Sequence, residues 1–278
     1  MSSVAMEQSI QYKINPSTTL NVLSSGTPSS KPSLIFLHFW GGSSRTFTPI
    51  VSSLNPQIHT LSIDFRGWGS STGPPDPSAY SISTLASDIE TLLPRLCLQD
   101  FILVGHSMGG KVAQLITGRN RVPGLKGLVL LAPAPPTPLE LPQEMREQQQ
   151  TAYSSAESAK FVVRNVLSSC SPPLPENTVK LLVEDMLKGN DFAREAWPSY
   201  GMSEDIVVEA REIDVPVLVV AGSLDRVETV ERLRREVLGN VTGAVLVVVE
   251  GAGHLLVVER PREVAGYVER FLERVNAN

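Results

Sequence analysis

The sequence predicts an α/β fold: a mostly parallel central sheet flanked by helices, with a helical cap inserted into it. Three observations predict it. Short apolar runs alternate with helix-compatible stretches along most of the chain. That alternation stops after residue 133 and resumes near residue 213. A glycine-flanked serine stands between one such run and a segment suited to a helix.

In chain order, IQYKI and TLNVL read as two short strands separated by the Asn15-Pro16 turn signal, and Ser24 to Ser33 reads as loop. The runs LIFLHF, HTLSIDF, FILVG, LKGLVLLAP, VPVLVVAG and AVLVVVEG then give six candidate parallel strands. Between the fourth and fifth of them the chain opens with APAPPTP and continues as polar, helix-compatible material. Pro133, Pro135, Pro136 and Pro138 make that opening a stiff hinge. The expected division is a core of residues 1–133 and 214–278 and a cap of residues 134–213.

The chain has 278 residues, of which 42% are hydrophobic and 19% charged, and at that length it buries roughly three quarters of its unfolded surface. No apolar run approaches the roughly 20 residues that span a bilayer. A net charge of −5 provides no field to gather phosphates or anionic lipids, so neither nucleic acid nor membrane is an expected partner. The basic cluster Arg232-Leu233-Arg234-Arg235 lies among glutamates and reads as a solvated helix face. The start, MSSVAMEQSI, has neither a basic nor an apolar region of a secretory signal, and a cytoplasmic location is expected. Cys97 and Cys170 are too few for a disulfide framework and stand apart from any His/Cys cluster. Both are expected as small buried hydrophobes, with a single bridge between them left open.

The most specific motif is Gly105-His106-Ser107-Met108-Gly109-Gly110, directly after FILV and before KVAQLIT. Small residues on either side of a serine allow the sharp strand-to-helix turn that lifts its hydroxyl into a cleft. A serine hydroxyl is a weak nucleophile at neutral pH, so it needs a base, and the base needs an acceptor that fixes its tautomer. Of the four histidines, His38 ends a strand before the motif, His59 begins one, and His106 adjoins the serine and is expected to point away. His254, in Gly251-Ala252-Gly253-His254, follows the carboxyl end of VLVVVE, where open α/β sheets place their sites. The same test selects the acid. Asp185, Asp191 and Asp205 fall in the cap, Asp214 precedes its strand, and Asp225 follows one, with Glu228 as a distant rival.

These motifs, in the order Ser, Asp, His, resemble the α/β-hydrolase family from about LIFLHF to the last helix. The resemblance implies a catalytic triad of Ser107, Asp225 and His254. An acyl-transfer site also needs donors for a developing oxyanion. The amide of Met108, at the start of the helix after the motif, supplies one. The segment His38-Phe39-Trp40-Gly41-Gly42 resembles the family's H-G-x-G-G loop and implies a second, assigned to Phe39 with Trp40 as the alternative. Phe39 stands where many relatives carry glycine, so the pocket there is expected to be narrowed or the loop reoriented.

Asp64-Phe65-Arg66-Gly67-Trp68-Gly69 also resembles a recurrent family loop, and Arg66 is expected to tie it down. Trp40, Trp68, Tyr153, Trp197 and Tyr200 are candidates to line the substrate pocket, with core packing the plainer role for each. The implied activity is hydrolysis of an ester, lactone or related acyl small molecule, with no cofactor and no metal. Carbon–carbon bond hydrolysis, perhydrolysis and rearrangement or cyclisation use the same triad. Serine at position 107 argues against the family's haloalkane and epoxide chemistries, which use aspartate there. A ligand receptor with an intact triad and a lipase working at a membrane surface are the more remote readings. Oligomeric state has no sequence signal.

Overall fold

Eight strands form one sheet in the order β1-β2-β4-β3-β5-β6-β7-β8 in the computed structural model, which describes residues 7–29 and 31–277. The strands are β1 (Gln8–Asn15), β2 (Thr18–Ser25), β3 (Ser33–Leu37), β4 (Thr60–Ile63), β5 (Phe101–His106), β6 (Leu125–Leu131), β7 (Val217–Gly222) and β8 (Val245–Val249). The β1–β2 hairpin is antiparallel and joins β4 antiparallel, while the six strands from β3 to β8 pair in parallel. Both expected N-terminal strands and all six expected parallel strands are therefore present, although the loop expected over residues 24–33 is shorter at both ends. The first six residues, which carry most of the segment read for a targeting signal, lie outside the described residues.

The inner strands β3 to β7 are largely apolar on both faces because helices cover both. Ile35, Leu37, Leu103, Leu128, Leu130 and Val219 face one buried cluster. Their neighbours Leu34, Phe36, Ile102, Val104, Val129 and Val220 face the other, together with Val264, Val268 and Leu272 of the C-terminal helix Pro261–Asn276. Such two-sided burial removes the polar/apolar alternation seen in half-exposed strands and explains the unbroken apolar runs. Burying each Leu, Ile or Val contributes roughly 1.5–3 kcal/mol.

The chain between β6 and β7 is helical, with helices Gln143–Gln150, Ala156–Val162, Glu176–Lys188, Asp191–Ser199 and Val207–Arg211 and no strand among the described residues. Buried polar groups fasten it to the rest. Lys111, wholly buried on the helix Met108–Arg119, donates from Nζ to the carbonyls of Thr137 (3.1 Å) and Met202 (3.4 Å). Asp185 accepts from Ser43 Oγ at 2.7 Å and from Arg45 Nε at 3.1 Å, holding the loop after β3 against the helix Glu176–Lys188. The last of these helices, Val207–Arg211, packs on Met108–Arg119, where a Cβ on Gly118 would sit 1.9 Å from the Glu209 carbonyl oxygen.

Two expectations are corrected. Cys97 is exposed, in a left-handed conformation where the turn Leu93–Leu96 ends, and Cys170 is half-buried; both are free thiols. Arg232 does not belong to a solvated face: it reaches inward to bond Glu228 Oε2 (2.9 Å) and Glu236 Oε2 (3.1 Å), while Arg234 and Arg235 are exposed as expected and Leu233 lies in the core. Arg66 behaves as expected, holding buried Asp88 through Nε and Nη2 at 2.5 Å each and the Ala79 carbonyl through Nη1 at 2.8 Å.

Candidate active site

Ser107 is the single residue between β5 and the helix Met108–Arg119, and its backbone stands at φ 53°, ψ −117°. A non-glycine residue with positive φ costs on the order of 1–3 kcal/mol, so the surroundings must hold it. They do so by close approach. A Cβ on Gly105 would lie 2.4 Å from the Gly109 carbonyl oxygen, and one on Gly109 would lie 2.2 Å from that of Leu37. Ser107 N–H donates to Leu131 O (3.1 Å), and Ala134 N–H donates to Ser107 O (3.0 Å), fixing the turn against the end of β6.

The other two candidates arrive from the loops after β7 and β8, beyond β6 in the sheet. Asp225 follows β7 and His254 follows β8, and the two loops are packed so closely that a Cβ on Gly222 would lie 2.5 Å from the carbonyl oxygens of both Ala252 and Gly253. Leu224 N–H donates to Ala252 O at 2.8 Å and Gly251 N–H to Ser223 Oγ at 2.9 Å. In that frame His254 Nδ1 lies 2.9 Å from Asp225 Oδ2. The opposite carboxylate oxygen, Oδ1, accepts from the amides of Val227 (2.8 Å) and Glu228 (3.0 Å).

Burial alone would raise the Asp225 pKa, but the charge and hydrogen bond of His254 and the two amides hold it below the ordinary carboxylate value. Burial alone would lower that of His254, but the charge and hydrogen bond of Asp225, with further help from Glu228 and Glu259, carry it above the ordinary value. Both shifts describe one pair that favours imidazolium beside carboxylate. The carboxylate accepts the Nδ1 proton and leaves Nε2 as the basic nitrogen of a neutral ring.

His106 links the serine turn to the histidine loop. Its Nε2–H donates to the His254 carbonyl oxygen at 2.8 Å, and its ring lies 5.4 Å from that of His254. Burial, followed by repulsion from His254, pushes its pKa down to about 3, so it is a neutral structural group. His38 is similarly employed, donating from Nδ1 to Phe39 O (2.7 Å) and accepting from Phe65 N–H at Nε2 (3.1 Å). His59 sits between Ser33 Oγ and Ser24 Oγ.

The amides of Met108 and Phe39 donate to no acceptor among the described residues. The Phe39 ring is buried against His106, 5.2 Å between centroids. Trp40 turns the other way and stacks on Tyr153 at 4.1 Å, and the Tyr153 hydroxyl donates to the Trp40 carbonyl oxygen at 2.9 Å. Trp40 and Tyr153 border a cavity of about 240 Å³ with Arg194 and Asp191. Of the remaining pocket candidates, Trp68 is buried against His38 and Gly189, and Trp197 packs near Gly201. Tyr200 donates to Pro77 O and accepts from Tyr80 N–H.

Three carboxylates near the site were not singled out by sequence reasoning for the work they do. Glu259 accepts from the amides of Gly253 and Ser169 and so joins the His254 loop to the helical segment between β6 and β7. His254 N–H reinforces that junction by donating to Leu167 O at 2.9 Å. Glu228, the rival to Asp225, is buried beside it but turns its carboxylate to Arg232; burial lifts its pKa to about 8 against the pull of that guanidinium. The i,i+4 spacing of Glu228, Arg232 and Glu236 is a readable signal for this chain of contacts. Nothing local marks Glu259 or Asp185, whose partners are distant in sequence.

A strand-to-helix serine turn after β5, an Asp–His pair after β7 and β8 and a helical insertion between β6 and β7 form a recognisable assembly. The 2-(acetamidomethylene)succinate hydrolase of Mesorhizobium japonicum is 26% identical over 270 residues, covering 92% of this chain and 92% of that protein. The crystal structure of a bromoperoxidase from Bacillus anthracis superposes with a TM-score of 0.86 at 18% identity, covering 96% of this chain and all of the other. The enol-lactonase from Burkholderia xenovorans LB400 superposes with a TM-score of 0.81 at 21% identity, over 94% and 99% of the two chains. The sequence profile described as the alpha/beta hydrolase family matches residues 34–267, which is most of the chain, and the protein belongs to that family.

Proposed function

We propose that the protein is a serine-dependent hydrolase of carboxylic esters, lactones or related acyl small molecules, with Ser107, His254 and Asp225 as its catalytic triad. The observation that carries this reading is the 2.9 Å contact between His254 Nδ1 and Asp225 Oδ2 on loops tied through His106 to the Ser107 turn. In the proposed cycle Ser107 Oγ attacks the acyl carbon while His254 Nε2 takes the hydroxyl proton. The imidazolium then returns that proton to the leaving alkoxide, and an acyl-enzyme remains. Water, deprotonated by the same nitrogen, cleaves the acyl-enzyme and restores Ser107. The amides of Met108 and Phe39 are the proposed donors to the oxyanion, a contribution of about 3 kcal/mol per donor.

Residues 134–213 serve in this reading as a cap that shapes the acyl pocket. Hydrolysis of a small molecule is also what the name of the Mesorhizobium relative describes, which supports the same class of reaction here. The test is turnover of a panel of aryl esters and lactones by wild type and Ser107→Ala. The expected outcome is loss of roughly 10⁴-fold or more in kcat by the variant with an unchanged circular dichroism spectrum. Comparable turnover by the two proteins would remove Ser107 from the chemistry.

A further inference from the structure

A cavity of about 330 Å³ lies between the helical insertion and the loop that carries Asp225. Its floor includes Val163, Leu174 and Val179, and its polar lining includes Arg164, Arg226 and Ser169. No carboxylate lines it, although the chain as a whole carries five more acidic than basic charges. Arg164 is paired with Glu176 outside the lining. Arg226 makes no hydrogen bond or ion pair among the described residues. Ser169 Oγ is buried with no partner. Arg226, an exposed guanidinium without a protein partner among the described residues, and an apolar floor make a site that suits an anion attached to a short hydrocarbon.

The cavity also shares its walls with the catalytic loops. Arg226 follows Asp225 directly, and a Cβ on Gly253 would lie 2.8 Å from the Ser169 amide nitrogen. We propose that this cavity binds the carboxylate end of an acidic acyl compound, with Arg226 as the anchoring cation, and so selects mono-esters of dicarboxylic acids or their lactones. The selection of substrate rests on the serine-hydrolase reading; the binding of the carboxylate does not.

Cys170 lines the cavity and Cys97 is exposed elsewhere, so the two thiols form a reporter and an internal control. The experiment follows iodoacetamide alkylation of each by peptide mass spectrometry, in the Ser107→Ala protein so that the probe is not consumed. Monomethyl glutarate is expected to slow alkylation of Cys170 at least about threefold in a saturable manner and to leave Cys97 unaffected. Dimethyl glutarate is expected to slow neither thiol, and Arg226→Ala to abolish the protection while Arg226→Lys keeps part of it. Equal protection by the neutral diester, no protection at all, or full protection in Arg226→Ala would each overturn the proposal. In active protein, the preference for p-nitrophenyl hemiglutarate over p-nitrophenyl butyrate, as a ratio of kcat/KM, should fall about tenfold in Arg226→Ala, the size of one charge-assisted contact. Fluorophosphonate labelling of Ser107 without protection of Cys170 would sink this site alone; protection without labelling would sink the serine mechanism alone.

Discussion

His254 Nδ1 and Asp225 Oδ2 are 2.9 Å apart, and the two side chains are almost completely removed from solvent. Their separation is set by Gly222, because any side chain there would force the two loops apart. The contact fixes which imidazole nitrogen is basic, and it also sets the pH at which that nitrogen becomes available.

His254 must be neutral to accept a proton, and its pKa is raised above the ordinary histidine value of 6.5. Activity should therefore rise with pH through a midpoint above 6.5 and level off beyond it. The rate of fluorophosphonate labelling against pH measures this. Replacing Asp225 by Asn removes the charge that raises the pKa and turns the ring into the wrong tautomer. The midpoint should move down and the plateau should fall by roughly 10⁴-fold. An unchanged midpoint would exclude Asp225 as the controlling charge.

Gly109 faces Leu37 so closely that Gly109→Ala places its Cβ 2.2 Å from a backbone oxygen that cannot rotate away. The serine turn would have to open. We expect the variant to lose most of its activity and roughly 1–3 kcal/mol of stability, read from urea unfolding together with ester turnover. Wild-type turnover would show that the turn is more yielding than its packing implies.

Glu228 has a folded pKa lifted by burial to about 8, above its ordinary 4.5. A group shifted this way binds a proton more tightly when folded, so its ionisation destabilises the native state as pH rises from about 4.5 to about 8. Arg232 offsets part of that cost. Glu228→Gln should consequently flatten the dependence of unfolding free energy on pH across this window, by roughly 1–3 kcal/mol relative to wild type. Parallel pH profiles for the two proteins would show that the pair with Arg232 compensates burial fully.

Arg66 and Asp88 form a buried, two-pronged ion pair. Arg66→Ala leaves the Asp88 carboxylate buried without its partner and should cost about 3–5 kcal/mol, measured as a fall in unfolding free energy. Lysine cannot reproduce both prongs and should recover only part of the loss. A change within 0.5 kcal/mol, the usual range for surface substitutions, would indicate that water replaces the guanidinium.

Much of this arrangement was legible because it depends on local pattern. The six parallel strands announce themselves as apolar runs, since both faces of β3 to β7 are covered and only the edge strand β8 is half-exposed. Ser107 is singled out by its glycine-flanked strand-to-helix motif, and Asp225 and His254 by the rule that open parallel sheets place their sites at the carboxyl ends of strands; the last two lie in contact. Side-chain partnerships between distant segments were not legible. Nothing in the sequence directs Glu259 to the amides of Gly253 and Ser169, or Asp185 to Ser43 and Arg45. Arg232 was misread as solvated because its charge spoke for the surface, while the buried Glu228 it serves decides its direction. Cys97 was misread for the opposite reason: an apolar residue type occupies the left-handed end of a surface turn.

The account stands most directly on whether Ser107 is an activated nucleophile. Intact-protein mass spectrometry after fluorophosphonate treatment of wild type, Ser107→Ala and His254→Ala tests it. One phosphonyl adduct on wild type, none on Ser107→Ala and a strongly slowed reaction on His254→Ala is the predicted result. An adduct of equal yield on Ser107→Ala, or no adduct on folded wild type, would contradict it.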